Sequence, residues 1–527
     1  MQSIFSQNPD SFGMPSVEFY GDKAGSYSPV VIARAPANES SILRLPDGTL
    51  KIFYINNPGT ADKMMSISSK DGGLSWGNPK IEFKLPGTAY HANSVVLDEN
   101  GNIHCVFHIF GKGKNGYHGR QLNLWYCHTL QNGKEWSNPK EIFEGYVGSV
   151  RGFIKLKDNR LLLAFAAAVP SRENKPIDPN VVDYGWNEII SLYSDDHGSS
   201  WHQSINRIKI SVNSGNKTRY GGIEPSILQL SNGIVWMLIR TNKGFLYQSF
   251  SNDEGKTWTA AEPTEFVSSD SPASLVRISK NRILLFWCSD QRHDDPNSYA
   301  KGGREVLHAA ISGDEGKSWK GFREVLVSST SKHPVGDHGT AYPSAIENDR
   351  GNIVLVSGQG ENGEIVMFDP AWLQKKEFSD NISDSLQHST FFGVKERSIT
   401  KAKEGRVLNF PMTKKGTLKL QIITKQPFEI NIALSDHFSV SKDSLATKEA
   451  PVLFKWKCNN NSENLNLRIE WDSNKQSALL FCNGQLKQQK KFSRKAFWGL
   501  NYLRTKAVNS GKEVSYIIKS ISLSPEL

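Results

Sequence analysis

Short runs of alternating apolar and polar residues, each about four to eight long, follow one another through roughly the first 370 positions, and polar turns cut them apart. The turns recur in similar form. Leu45-Pro-Asp-Gly-Thr-Leu, Leu97-Asp-Glu-Asn-Gly-Asn-Ile, Leu156-Lys-Asp-Asn-Arg-Leu, Leu230-Ser-Asn-Gly-Ile-Val and Glu347-Asn-Asp-Arg-Gly-Asn-Ile each join two apolar runs and predict β-hairpins. No stretch of about 18 apolar residues occurs, so the pattern contains no membrane-spanning helix.

A second signal keeps phase with the hairpins. Ser-x-Asp-x-Gly-x-x-Trp stands at Ser69–Trp76, Ser194–Trp201, Ser251–Trp258 and Ser312–Trp319, and a worn copy, Thr129–Trp136, keeps the spacing. The tryptophans at 76, 136, 201, 258 and 319 are separated by 60, 65, 57 and 61 residues, a period that marks an array of like units. In each copy the Asp can accept from backbone amides ahead of it, the Gly supplies positive φ, and the Trp packs back on the sheet, so the motif is a tight turn between antiparallel strands. Five motif-bearing units plus the strands after Trp319 predict a six-bladed β-propeller.

The period ends near Phe368-Asp-Pro-Ala-Trp372. Beyond it, Gly416-Thr-Leu-Lys-Leu-Gln-Ile-Ile, Phe428-Glu-Ile-Asn-Ile-Ala-Leu, Leu465-Asn-Leu-Arg-Ile-Glu-Trp and Ser477-Ala-Leu-Leu-Phe-Cys read as strands of a β-sandwich. The predicted fold is therefore all-β: an N-terminal extension over 1–28, a six-bladed β-propeller over 29–372, and a C-terminal β-sandwich over 373–527 that either binds glycan or braces the propeller. The extension either wraps the propeller or supplies a closing strand. Two polar insertions, Val169 to Glu188 and Ser289 to Arg304, are long loops of the kind that carry substrate contacts.

Charge changes this picture only once it is located. The chain of 527 residues has a formal net charge of +10, but residues 371–527 hold 26 Lys and Arg against 14 Asp and Glu, a net +12, and the rest is nearly neutral. The basic excess belongs to the C-terminal part, where it either suits an anionic polysaccharide or is a solvated face. No nucleic-acid motif or aromatic-interleaved basic cluster is present. The five cysteines show no metal-ligand spacing and read as buried free thiols. The first ten residues lack the basic and apolar regions of a signal peptide.

These Asp boxes, with Glu224-Pro-Ser-Ile-Leu-Gln-Leu-Ser-Asn-Gly-Ile-Val-Trp-Met-Leu-Ile-Arg240 leading into one of them, resemble the sialidase superfamily of glycoside hydrolases, over roughly residues 30 to 370. The resemblance implies that Tyr342, in Ala341-Tyr-Pro-Ser-Ala-Ile, is the nucleophile, that Glu224 takes its proton, and that Arg240 and Arg304 hold the substrate carboxylate. It implies Asp62 as acid/base. A guanidinium fork binds a carboxylate through paired hydrogen bonds, which is the chemistry a sialic acid requires. The family's first arginine has no counterpart: its place reads Asn38-Glu39-Ser40-Ser41, and Arg34, four residues before it, is the candidate to swing in as its substitute on the substrate. Asp337 and His338, just ahead of Tyr342, together with Glu224 and Gln359, are alternative groups for activating a water, and His91 or His338 could serve a lyase as base.

The expected activity is exo-acting hydrolysis releasing terminal sialic acid or a related acidic sugar from glycans, with no metal or cofactor implied, no nucleic-acid partner and no membrane insertion. The substrate class places it in a secreted or periplasmic setting. The alternatives are a hydrolase or lyase for another acidic polysaccharide, uronic or sulfated, and a non-catalytic glycan-binding propeller.

Overall fold

In the computed structural model of the chain each intact Asp box closes its own hydrogen bonds. In the first copy the Ser69 hydroxyl donates to Asp71 Oδ1 (2.7 Å) and accepts from the Gly73 amide (2.8 Å), while Asp71 Oδ1 also takes the amides of Leu74 and Ser75, both at 3.0 Å. The other copies repeat this through Asp196, Asp253 and Asp314. Burial works against ionisation of these carboxyls, yet the hydroxyl and amide donors outweigh it. Asp71, Asp253 and Asp314 lie below the ordinary range and Asp196 at about 2. The glycine after each acid is required: Gly73 has φ +100° and Gly255 φ +89°.

The structure describes residues 29–56, 61–111, 121–130, 133, 135–169, 186–211, 221–291, 303–327, 339–360, 363–381, 406–424, 427–439, 448–458, 464–508 and 516–525. The extension expected over 1–28 lies outside them, as do most of the two insertions. The fold is all-β. Gly152–Lys155, Leu161–Val169, Trp186–Ser194 and His202–Gln203 form one antiparallel sheet. Gly222–Gln229, Val235–Thr241, Phe245–Ser251 and Glu262–Val267 form the next. Ser274–Ile278, Arg282–Trp287, Val306–Ser312 and Lys320–Val327 form the third. Upstream, one eight-stranded sheet is two such groups fused. Its strand Lys80–Leu97 pairs with Ala61–Ser69 through its first half and with Ile103–Phe110 through its second, and the register shifts between Ala89 and Asn93. The last group, Ser344–Glu347, Ile353–Ser357 and Glu364–Phe368, takes its outer strand from the other end of the chain. Val30–Arg34 pairs antiparallel with it, Val30 against Met367 and Arg34 against Glu364.

Six apolar clusters link these groups in chain order. One joins the two halves of the fused sheet through Phe53, Met64, Phe107 and Cys127. The last carries Phe286 and Leu307 against Leu355 and Phe368, and another joins Val354 and Ile365 to Ile52 and Ile67, so that the final group packs on the first. Alternation along each strand explains this, because a two-residue period gives every sheet two faces and both are covered by neighbours.

The C-terminal part holds a six-stranded sheet, ordered Phe378–Asn381, Tyr516–Pro525, Lys415–Thr424, Leu465–Asp472, Ser477–Cys482 and Gln485–Lys491, and a four-stranded sheet, ordered Arg406–Thr413, Leu500–Val508, Phe428–Ser435 and Val452–Cys458. One core containing Leu418, Ile430, Phe454, Ile469, Leu480 and Leu503 lies between them. Polar contacts dock this part on the third four-stranded sheet. Tyr502 Oη bonds both His308 and Glu324, Asn409 Oδ1 takes Arg323 Nε, and Asp290–Gln291 pairs with Phe438–Ser439. All five cysteines are free and buried. Among the described residues no helix is long and apolar enough to cross a membrane.

Candidate active site

The first strand of each four-strand group carries a different polar residue at or near its start. Glu39 precedes Ser41–Arg44, and His91 and Asn93 lie where Lys80–Leu97 enters the second group. Arg151 precedes Gly152–Lys155, Glu224 sits in Gly222–Gln229, Asp270 stands ahead of Ser274–Ile278, and Tyr342 stands ahead of Ser344–Glu347. The second and third strands add Arg240, Arg304 and Gln359. A fold built from repeats thus brings residues far apart in sequence to one place.

They form one connected set. The Tyr342 hydroxyl donates to Glu224 Oε1 (3.1 Å), and Arg240 Nη1 donates to Glu224 Oε2 (2.6 Å) and to Tyr342 Oη (3.2 Å). Arg240 Nε donates to Asp270 Oδ1 at 2.8 Å. Arg304 donates to Gln359 Oε1 (3.0 Å) and to the Asp270 carbonyl (3.3 Å). Gln359 Nε2 reaches Glu39 Oε1 (3.4 Å), which is also 2.7 Å from His91 Nε2. Arg151 Nη2 donates to the Tyr342 carbonyl (2.9 Å), and the guanidinium groups of Arg151 and Arg304 lie 5.5 and 5.4 Å from the centre of the Tyr342 ring.

Local backbone aims these groups. Glu39 (φ 51°), Glu224 (φ 51°) and Tyr342 (φ 67°) are buried and all left-handed, a conformation that costs about 1–3 kcal/mol for a residue with a side chain. At Glu224 the register between Gly222–Gln229 and Val235–Thr241 shifts between Ile223 and Ser226, and a bulge of this kind turns a side chain out of the regular alternation.

Electrostatics divide the acids. Burial raises Glu224 and outweighs the pull of Arg240 in the other direction, so its carboxyl sits above the ordinary range. Burial and the neighbouring Glu224 push the Tyr342 phenol well up, which keeps it a neutral donor. Burial also raises Glu39, but His91 and then Arg151 reverse it, and Glu39 lies below its ordinary value as a carboxylate. A phenol donating to a carboxylate, with a guanidinium bonded to both oxygens, can pass its proton to the acid while the cation stabilises the phenolate.

Of the residues expected from sequence, Glu224, Tyr342, Arg240, Arg304, Gln359 and His91 belong to this set. Asp62 does not touch it: its side chain is 55% exposed, and its described partners are Asn56 Nδ2 at 3.5 Å and Lys63 Nζ at 3.4 Å. Arg34 ends its strand at the surface, opposite Glu364. Asp337 and His338 lie outside the described residues. Sequence reasoning did not find Glu39, Arg151 or Asp270 as site residues. Their signal was positional: each stands in the same phase of its repeat as Tyr342, just ahead of an apolar strand.

A family model described as a BNR repeat-like domain matches residues 87–355. The chain belongs to this family, within the sialidase superfamily. The BNR-repeat assignment agrees with the resemblance carried by the Asp boxes. A sialidase of Vibrio cholerae serotype O1 is 27% identical over 227 residues, 39% of this chain and 27% of that protein, so the match spans about a quarter of the relative's length. Similar solved structures include a Dyadobacter fermentans protein of unknown function (18% identity, TM-score 0.48, covering 65% of this chain and 98% of that one). The NanB sialidase of Streptococcus pneumoniae gives 13% identity and a TM-score of 0.45 over 68% and 73% of the two chains. Trypanosoma rangeli sialidase with 2,3-difluorosialic acid gives 12% and 0.42 over 92% and 91%.

Proposed function

We propose that this BNR-repeat protein is an exo-acting glycoside hydrolase of the sialidase type, releasing terminal sialic acid or a related acidic sugar from glycans. The observation that carries the reading is the Tyr342–Glu224 hydrogen bond of 3.1 Å, with Arg240 bonded to both partners. A sugar whose anomeric carbon bears a carboxylate repels a carboxylate nucleophile, and a neutral phenol deprotonated as it attacks avoids that repulsion. In this mechanism Tyr342 Oη attacks the anomeric carbon as Glu224 accepts the phenolic proton, and water then releases the sugar from the enzyme. Arg304 and Arg240 hold the anionic end of the substrate, and Asp62, at the exposed start of Ala61–Ser69 and outside the connected set, is the acid that the resemblance supplies for the leaving oxygen.

The same reading treats the six four-strand groups as blades of a six-bladed propeller over 29–372, and 373–527 as a sandwich that braces it. Six clusters in chain order, the last group packed on the first, support it. A secreted or periplasmic setting follows from the substrate class.

One observation favours a second reading. Where the resemblance expects an arginine, the chain holds the buried carboxylate Glu39, paired with His91 at 2.7 Å. A second acid in the site suits water attack or proton abstraction on another acidic glycan, uronic or sulfated. Incubating the protein with sialyllactose and a panel of uronic-acid oligosaccharides, with products followed by mass spectrometry and early-time NMR, separates the two. Free sialic acid supports the first reading. Cleavage confined to the uronic acids supports the second, and an unsaturated product marks a lyase.

A further inference from the structure

Three guanidinium groups surround Tyr342, and they are not equivalent. Arg240 is fully buried and bound to two carboxylates, Glu224 and Asp270. Arg304 is 1% exposed and donates to Gln359 and to the Asp270 carbonyl. Both are held by the protein itself. Arg151 keeps part of its surface open, makes one side-chain hydrogen bond, to the Tyr342 carbonyl, and has no carboxylate within ion-pair distance among the described residues.

That arrangement is expensive unless something else meets it. A guanidinium carries five donors in a rigid fork, and removing it from water without an anion leaves most of its hydration uncompensated. Burial pulls the Arg151 pKa down, and the more distant charges of Glu39, Tyr342 and Glu224 offset this only in part. The position is built rather than incidental. A Cβ on Gly152 would lie 2.8 Å from the Pro225 carbonyl oxygen and 2.9 Å from that of Ala164, and one on Gly148 would lie 2.8 Å from Ile223. Glycines on both sides of Arg151 therefore let its segment press against the strand that carries Glu224. An anion seated on Arg151 lies beside the Tyr342 ring, next to the Tyr342–Glu224 pair.

We propose that Arg151 is a further residue that recognises the substrate's carboxylate, beside Arg240 and Arg304: a half-buried guanidinium with a single carbonyl partner among the described residues, seated over the Tyr342 ring, faces the acidic group of the sugar. This rests on the hydrolase reading for the meaning of the site, but the binding claim stands separately. Arg240 and Arg304, which border the same anionic end in that reading, also hold the Tyr342–Glu224 pair and the neighbouring backbone in place.

The test is calorimetric binding of N-acetylneuraminic acid and of glucuronic acid to the full chain, each compared with its methyl ester, for the wild type, Arg151→Gln and Arg151→Lys. Thermal melts establish that each variant is folded. The wild type is expected to prefer at least one acid over its ester by about 10- to 100-fold, the range for one charge-assisted hydrogen-bonded pair. Arg151→Gln lowers that preference about tenfold or more, and Arg151→Lys, which keeps the charge but not the fork, lowers it less. A merely structural role would lower acid and ester binding alike. The proposal is overturned if the wild type binds neither acid, if it does not distinguish acid from ester, or if Arg151→Gln distinguishes them as well as the wild type. If Arg151→Gln does not fold, the lysine variant decides: undiminished preference there overturns the proposal. Turnover is scored separately. Acid preference lowered with Arg151→Gln but no hydrolysis of any glycan sinks the hydrolase reading alone, and hydrolysis with preference intact in Arg151→Gln sinks the Arg151 assignment alone.

Discussion

The Asp-box turns and the starts of the first strands belong to the same repeat, yet they are organised in opposite ways. At the turns every intact copy uses the same residues and satisfies them locally: Asp71, Asp196, Asp253 and Asp314 all bond hydroxyls and amides within four residues. At the strand starts each copy contributes something different, and the bonds run between groups, from Arg240 to Tyr342 across 102 residues and from Gln359 to Glu39 across 320. Left-handed side-chain-bearing residues occur in both regions, at His197, Glu254 and Glu315 in the turns, but those at the strand starts, Glu39, Glu224 and Tyr342, are buried. Repetition serves folding here, and departure from repetition marks the place where the proposed chemistry would lie.

The comparison is broken most severely through Tyr342. Tyr342→Phe is expected to lower turnover by about a hundred- to ten-thousand-fold while leaving a cooperative melt, as removal of a proton-transferring group does. Trp258→Ala should do the reverse. Its ring is 5% exposed and its Nε1 donates to Ser191 Oγ at 2.8 Å, so loss of about 3–5 kcal/mol in denaturant unfolding is expected, with turnover per folded molecule retained. A Trp258→Ala protein as stable as the wild type would remove the structural role given to the turns.

Acid separates the two regions more gently. The Asp-box carboxyls are depressed, so their stabilisation is present above the unfolded carboxylate value of 3.8 and is lost as pH falls through the folded value, about 2 for Asp196. The urea midpoint should fall with acid over that window, and Asp253→Asn should weaken that dependence. Glu224 is raised, so as a base it is lost earlier on acidification. The acid limb of kcat/KM should fall above the ordinary glutamate range, near 4.3. The smallest effect is expected at Arg34. It ends its strand at the surface opposite Glu364, and Arg34→Ala should change KM by less than about threefold, as surface substitutions usually do.

What could be read from the sequence follows this contrast. The groups were legible because Asp, Gly and Trp recur in phase at the turns, and Val235–Thr241 carries Arg240 where the resemblance predicts it. Glu224, Tyr342 and Arg304 were legible for the same reason, and the structure brings them together. Arg151 and Asp270 were not, because no shared residue type marks the strand starts and their partners are distant: Arg151 meets Tyr342 across 191 residues. Glu39 was visible only as the absence of an arginine. Its meaning depends on His91, 52 residues away, and on a left-handed backbone that no local motif announces.

The most direct measurement compares the wild type with Glu224→Gln on one acidic glycan, following both turnover and binding. The account predicts that Glu224→Gln is folded, binds the glycan within about tenfold of the wild type and releases no sugar above background, because the amide keeps its shape but cannot take the Tyr342 proton. Turnover by Glu224→Gln near the wild-type rate would contradict it, as would a wild type that binds acidic glycans and cleaves none of them.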